Sequence, residues 1–324
     1  MGKDFGWCFI GAGDITKRVM PEMHITNGGF LASVYAPTFD HAKELASEYD
    51  AKAYKSAEEA ISDPNVRAVY VATPHTDHMA SSIRAIKMGK PVLCEKPFTV
   101  DLNQAKSVIS EAKAAGVYLV EGMWTRHNPV IIKVLDWIKE GHIGEVNFLT
   151  ANMAFTSEIE PTSRLYDIKK AGGSLLDIGV YTLALARFVF EAKPEKIQSM
   201  GEFAYTGVDR ACAIQISFGK QGFAQLHSSI AIDTGNEAVI HGKKGKIIIP
   251  NFPAPTKAEL ITNESVETYA QEIYLDGYAN QFNVVIDDIR NGKLENDFVT
   301  HAFTLDIMEM MDEVRAQIGL QYLT

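Results

Sequence analysis

Three groups of residues in this 324-residue chain have types and spacing suited to chemistry. The first is Gly11-Ala12-Gly13-Asp14-Ile15-Thr16, which follows a short apolar run from Phe5 to Ile10. Gly11 permits a tight turn, and Gly13 lets backbone approach a pyrophosphate at the start of the next helix. Thr16 stands where Gly or Ala usually lets helix pack closely on strand, so the fingerprint is incomplete and a glycine turn without a ligand is the plain alternative. The second is Lys96. It follows Val92-Leu93-Cys94-Glu95 at the carboxyl end of a strand, where doubly wound sheets bind ligands. Pro97 biases Lys96 towards extended backbone, which aims its side chain at that crevice; a surface lysine paired with Glu95 is the competing reading. The third is Asp177 with Tyr181, spaced to share one face of a helix that begins near Ser174. Ser174 and Asp177 equally fit a capping box, and Tyr181 equally fits a core aromatic.

The elements that position these residues change character along the chain. From Phe5, apolar strands alternate with amphipathic helices, including a buried strand at 66–72, a helix at 77–88 closed by Gly89, a strand at 91–94 and a helix at 102–115 closed by Gly116. Such a pattern predicts a parallel sheet covered on both faces. The second strand ends at Tyr35 and continues Ala36-Pro37-Thr38-Phe39, without the acid that NAD enzymes offer to the ribose. Thr38, His41 and Lys43 can accommodate a 2′-phosphate, so the expected cofactor is NADP in preference to NAD. From about Met123 a helix at 129–139, a strand at 144–154 and a buried helix at 174–190 lead into strands at 197–203, 211–218, 222–230, 237–241 and 245–249. Helices at 280–290 and 304–318 close the chain. Cys212, Ile214, Ile216 and Phe218 alternate with Ala211, Ala213, Gln215 and Ser217, giving one face for helices and one that is small and polar. The expected fold is α/β: an N-terminal Rossmann doubly wound parallel sheet over residues 1–122, followed over 123–324 by an α+β substrate-binding and dimerisation domain with an open, mostly antiparallel sheet.

Composition narrows the partners. A net charge of -10 repels phosphate backbones, which excludes nucleic acid. With 46% hydrophobic and 22% charged residues the chain is ordinarily globular. Cys8, Cys94 and Cys212 lie far apart in apolar runs, which suggests buried hydrophobes rather than a disulfide framework or a metal site. Because the first strand starts by Phe5 and the apolar stretch at 175–190 is interrupted by Asp177 and Arg187, neither a signal peptide nor a membrane span is expected. A soluble protein of the reducing cytoplasm follows.

Residues 69–98 hold Thr73-Pro74-His75-Thr76-Asp77-His78 and Glu95-Lys96-Pro97, and here the chain resembles the Gfo/Idh/MocA oxidoreductase family. Met123-Trp124-Thr125-Arg126-His127-Asn128-Pro129 and Gly172-Gly173-Ser174-Leu175-Leu176-Asp177-Ile178-Gly179-Val180-Tyr181 resemble its dimeric dihydrodiol dehydrogenase branch, which includes NADP-linked D-xylose dehydrogenases. The resemblance implies hydride transfer between nicotinamide and a sugar, polyol, dihydrodiol or small carbonyl compound. It implies catalysis by Lys96 and Tyr181 with Asp177. Cofactor contacts would come from Gly11, Ala12, Gly13, Asp14, Ile15, Tyr35, Thr38, Thr73, Pro74, His75, Glu95, Lys96, Trp124 and Arg126, and the substrate wall from Trp124, Phe155 and Arg164 beside the catalytic three. His78, at a helix start, reads as structural. It also implies a homodimer through the outer face of the second sheet. The chemistry fits such a pair. Free tyrosine titrates near ~10, and an ammonium about 4 Å away can lower that by up to roughly 3 units while also donating to a developing alkoxide. A nicotinamide-dependent glycosidase and a non-catalytic dinucleotide sensor are the alternatives on the same fold, and a sensor needs neither Lys96 nor Tyr181.

Overall fold

The computed structural model describes residues 2–322. It divides into a first unit, up to Trp124 together with Tyr274–Leu305, and a second, Thr125–Ile273 with the residues from Asp306 onward. In the first unit the order is β1 (Phe5–Ile10), α1 (Asp14–Met23), β2 (Gly29–Tyr35), α2 (Phe39–Glu48), β3 (Lys52–Tyr54), α3 (Ala57–Ile61), β4 (Val66–Val71), α4 (His78–Lys87), β5 (Val92–Glu95), α5 (Leu102–Ala115) and β6 (Leu119–Gly122). The six strands pair in parallel in the order β3-β2-β1-β4-β5-β6, so the expected doubly wound sheet is present. β1, β5 and β6 are buried along their whole length, as strands covered on both faces must be. The order reverses between β1 and β4, which makes their carboxyl ends the switch point where ligands bind. Asp101 accepts the Gln104 N–H at the start of α5, and Gly116, as expected, closes it in the left-handed region at φ 63°.

The second unit contains α6 (Pro129–Lys139), β7 (Val146–Ala154), a π-turn at Leu175–Gly179 that runs into α7 (Val180–Phe190), and then β8 (Lys196–Phe203), β9 (Asp209–Ser217), β10 (Phe223–Ser229), β11 (Glu237–Gly242), β12 (Gly245–Pro250), β13 (Lys257–Thr262) and β14 (Val266–Ala270). These strands form one sheet in the order β14-β13-β12-β11-β7-β10-β9-β8. Only the β10–β7 pairing is parallel, so the sheet is mostly antiparallel. The alternation read in β9 is real: Cys212, Ile214 and Ile216 are buried, while Ala213 and Gln215 are exposed. α7 lies on the β7–β10 part of the buried face. The segment Ile168–Phe190 is long and apolar enough to pass for a membrane span by composition, but 94% of its apolar window is buried inside the protein. It is the core helix of its unit.

One boundary differs from the sequence expectation. The chain after Met123 does not stay with the second unit, because α8 (Tyr278–Arg290) returns to the first sheet ahead of α9 (His301–Ile318). Trp7 and Phe9 on β1 and Tyr70 on β4 form an aromatic face, and Phe282 of α8 fills it at ring distances of 5.1, 6.4 and 5.4 Å. Burying such a side chain is worth about 1.5–3 kcal/mol. Glu22 of α1 fixes the entry of α8 by accepting the N–H groups of Asp276, Gly277 and Ala279 at 2.9, 3.2 and 2.9 Å. A buried glutamate supplies the cap that Gly277 cannot.

Candidate active site

The turn after β1 assigns different work to its two glycines. Gly11 has φ +114°, and a Cβ there would lie 2.3 Å from the Ala72 carbonyl, so the fold itself demands glycine. A Cβ at Gly13 would meet nothing within 4 Å. Gly13 is the N-cap of α1 and carries no side-chain cap, so the free N–H groups and positive end of the helix face open space. Ala12 is buried, Asp14 is exposed in the first turn and Ile15 is half-buried. Thr16, the departure from the fingerprint, is fully buried and donates its hydroxyl to the Gly13 carbonyl at 2.6 Å, bracing the turn. Across the switch point, at the end of β4, the Thr73 hydroxyl is buried without a hydrogen-bond partner, with Pro74 exposed beside it. An open helix end and an orphaned buried hydroxyl at the carboxyl ends of adjacent strands fit a dinucleotide. Half-buried Tyr35 accepts the Gly11 N–H through its carbonyl at 2.8 Å. Thr38 is the exposed N-cap of α2, and its side chain makes no cap bond. The Lys55 ammonium sits 5.5 Å from the Phe39 ring centre nearby.

Lys96 is half-buried at the end of β5, and the turn it begins is gripped from both sides. On one side lies His78, fully buried, with Nδ1 2.8 Å from the Pro97 carbonyl and Nε2 2.9 Å from the Thr73 carbonyl. Burial pushes its pKa down, so the ring is neutral and donates to one carbonyl at a time. His78 therefore links the two motif turns, as its structural reading predicts. On the other side Glu121 of β6 accepts the Phe98 N–H at 3.2 Å and the Thr304 hydroxyl at 2.9 Å. Burial raises its pKa to about 7, its hydrogen bonds and Lys96 oppose the rise, and Glu95 adds to it. Glu95 is itself buried, accepting the Tyr70 hydroxyl at 2.6 Å and the Lys96 N–H at 3.3 Å.

In the second unit Asp177 and Tyr181 are both buried, on the π-turn and on the first turn of α7. The expected capping box is absent. Ser174 makes no side-chain cap; its hydroxyl donates instead to Asp209 at 2.8 Å, and Asp209 also accepts the Leu175 N–H at 2.7 Å. Asp177 is paired with Arg164 at 2.7 Å, which brings two of the expected substrate residues together. Arg164 is more than half exposed and Asp177 is not, so the pair places a cation at the mouth of a buried carboxylate. Phe155 packs against a small apolar cluster that includes Tyr166, Ile178 and Ile230.

The remaining expected contacts divide between the units. Trp124 is buried in the first, its ring 4.7 Å from Tyr278. The Arg126 guanidinium lies 5.5 Å from the Phe188 ring centre in the second, and His75 is 5.8 Å from His78 in the first. Glu121, Asp209 and Tyr70 were missed from the sequence. Glu121 left a faint signal, a lone acid inside an otherwise apolar strand.

A parallel sheet of this order with an open glycine turn at its switch point defines a dinucleotide-binding unit. Comparison with known proteins narrows the class. Residues 5–123 match the model of an oxidoreductase family with an NAD-binding Rossmann fold, and residues 131–248 match the GFO/IDH/MocA C-terminal domain. The chain is 31% identical over 335 residues to trans-1,2-dihydrobenzene-1,2-diol dehydrogenase of Sus scrofa, covering 98% of this chain and 97% of that one. It is 33% identical over 314 residues to D-xylose 1-dehydrogenase (NADP(+)) of Hypocrea jecorina, covering 86% and 80%. The fold alone is shared with an aldose-aldose oxidoreductase from Caulobacter crescentus, at a TM-score of 0.90 and 21% identity over 98% of each chain. The chain belongs to the Gfo/Idh/MocA family, and it is an NAD(P)-dependent oxidoreductase.

Proposed function

We propose that the protein interconverts an alcohol and a carbonyl on a sugar or a dihydrodiol, with Lys96 and Tyr181 handling the proton and the developing oxyanion. The observation that carries this is the Lys96 turn: a cationic donor at the mouth of a Rossmann strand, held through both Pro97 and Phe98. Nicotinamide, when bound, supplies the hydride acceptor or donor. Gly11 to Ile15 and Thr73 hold the dinucleotide, and Trp124 and Arg126 border the nicotinamide. Lys96 donates to the reacting oxygen, Tyr181 takes or returns its proton, and Asp177 with Arg164 binds a substrate hydroxyl. The relatives, a dihydrodiol dehydrogenase and an NADP-linked xylose dehydrogenase, support this substrate class. The test is a screen of D-xylose and trans-1,2-dihydrobenzene-1,2-diol with each cofactor, following absorbance of the reduced nicotinamide. Reduction with either compound is the expected result. Turnover of neither, or hydrolysis of a glycoside without net cofactor reduction, would sink the assignment.

NADP is favoured modestly, since β2 ends without an acid and Thr38 is exposed where the 2′-phosphate would lie, but no arginine stands there for a bidentate pair. Tighter NAD in a side-by-side titration would reverse that reading. Association as a homodimer through the outer face of the second sheet is supported by Phe148 and Phe223, which stack at 5.9 Å on a face where Phe223 is exposed. A monomer in sedimentation at micromolar concentration would count against it. Three free, buried cysteines suit the cytoplasm.

A further inference from the structure

Asp209 opens β9 with its side chain fully buried, and it does for the 174–190 helix what Ser174 fails to do. Its Oδ2 accepts both the Leu175 N–H and the Ser174 hydroxyl. The surroundings are shaped to admit it. Gly173 adopts φ +116°, and a Cβ there would sit 2.1 Å from Asp209 Oδ1, so any other residue would expel the carboxylate. The Tyr322 hydroxyl donates to the Gly172 carbonyl at 2.8 Å and holds that glycine pair from the other side. Ser174 is also 3.1 Å from the Ser228 hydroxyl of β10, and a Cβ at Gly179 would lie 3.1 Å from the same oxygen. The π-turn is thus seated on β10 at one end and on Asp209 at the other. A π-turn lacks the regular ladder of an α-helix, and its free N-terminal N–H groups favour an anion.

We infer that Asp209 is a positioning residue, its buried carboxyl fixing the start of the π-turn and through it the placement of Asp177 and Tyr181. This rests on the reading of those two as substrate residues. The groups facing Asp209 leave it as the one that changes charge near neutrality. Burial raises its pKa to about 7 against the hydrogen bonds that lower it. Cys212, on the same strand, is pushed up to about 12 by burial, and Tyr322 is raised well above its ordinary value, so both stay neutral. The Arg315 guanidinium lies 5.3 Å from the Tyr322 ring centre, and Arg210, next in the strand, pairs with Glu202.

Amide hydrogen exchange of peptides covering 174–181, corrected for intrinsic rates, tests this between pH 5.5 and 8.5. In Asp209→Ala exchange there should rise about tenfold or more, since the Leu175 N–H and Ser174 O–H lose their acceptor, while the strands of the sheet keep their protection. Asp209→Asn, which retains one acceptor oxygen, should fold if the alanine variant does not. Because burial raises the Asp209 pKa, ionisation favours the open, solvated segment: the wild type should lose protection at 174–181 as pH rises towards 7, and the asparagine variant should not. D-xylose oxidation with NADP should lose kcat in Asp209→Asn with no change in NADP affinity by fluorescence of the reduced form. Unaltered exchange at 174–181 in both variants, loosening spread evenly over the sheet, or a pH dependence that survives in Asp209→Asn would overturn the proposal. Tyr181→Phe separates the two readings. If it keeps full D-xylose turnover while Asp209→Asn still loosens 174–181, the substrate assignment fails and the anchor stands. If the wild type does not oxidise D-xylose, the exchange results decide alone.

Discussion

Lys96 stands at the end of a parallel strand, whereas Asp177 and Tyr181 ride a π-turn and the helix that it feeds. A strand end inherits its position from the ladder, so only the residues just past it need fixing, and His78 and Glu121 do that. The π-turn has no ladder to inherit from and is seated by side chains of neighbouring strands. Yet both regions use the same device. A fully buried carboxylate with a pKa near 7 accepts one backbone N–H beside the candidate residues, Phe98 to Glu121 in one unit and Leu175 to Asp209 in the other. Hydrogen bonds to a charged acceptor are stronger than neutral ones, but burying the charge lowers global stability. Each unit gives up some stability to hold a backbone segment in one place.

The comparison can be broken in order of effect. Gly13→Val should abolish dinucleotide binding in a folded protein, because the added side chain enters open space rather than protein; unchanged affinity for NADP would remove the cofactor from this turn. Lys96→Met should lower kcat for D-xylose by about 10³-fold or more, since the transition state loses its donor, with NADP affinity little changed. Tyr181→Phe should cost somewhat less, about 10²-fold, and the double variant should be hardly worse than Lys96→Met if the two act as one unit. Additive losses would mean that strand end and helix work separately.

How far the sequence could be read follows the same division. The Rossmann strands, the helix ends at Gly89 and Gly116 and the alternating face of β9 were legible, because each depends on local apolar spacing and on glycine. The return of α8 was not, since it depends on an aromatic face assembled from β1 and β4 and on Glu22, far away in the chain. β3, β13 and β14 escaped because they are short or expose much of their length to water. Lys96 and Tyr181 were found through motifs; their supports were not, because Glu121 and Asp209 act on backbone groups of distant segments. Ser174 shows the hazard of local reading: the spacing to Asp177 looks like a capping box, but the cap comes from Asp209.

The smallest effect concerns Glu121 itself. Its ordinary carboxyl pKa of 4.5 rises to about 7 in the fold, chiefly through burial. Between those values the unfolded chain has lost this proton and the folded chain keeps it, so stability falls as pH rises through this window and levels off above it. Glu121→Gln removes the titration while its amide oxygen can still accept the Phe98 N–H. Its unfolding free energy, from denaturant melts between pH 4.5 and 8, should therefore fall less steeply, by up to about 1.4 kcal/mol per pH unit for the single proton removed. Because the Phe98 contact survives, kcat for D-xylose should change by less than about tenfold. A wild-type slope retained in Glu121→Gln would mean that the carboxyl is already ionised in the fold at pH 5. The Lys96 turn would then be held by a permanent charge, and its likeness to the Asp209 anchor would end at geometry.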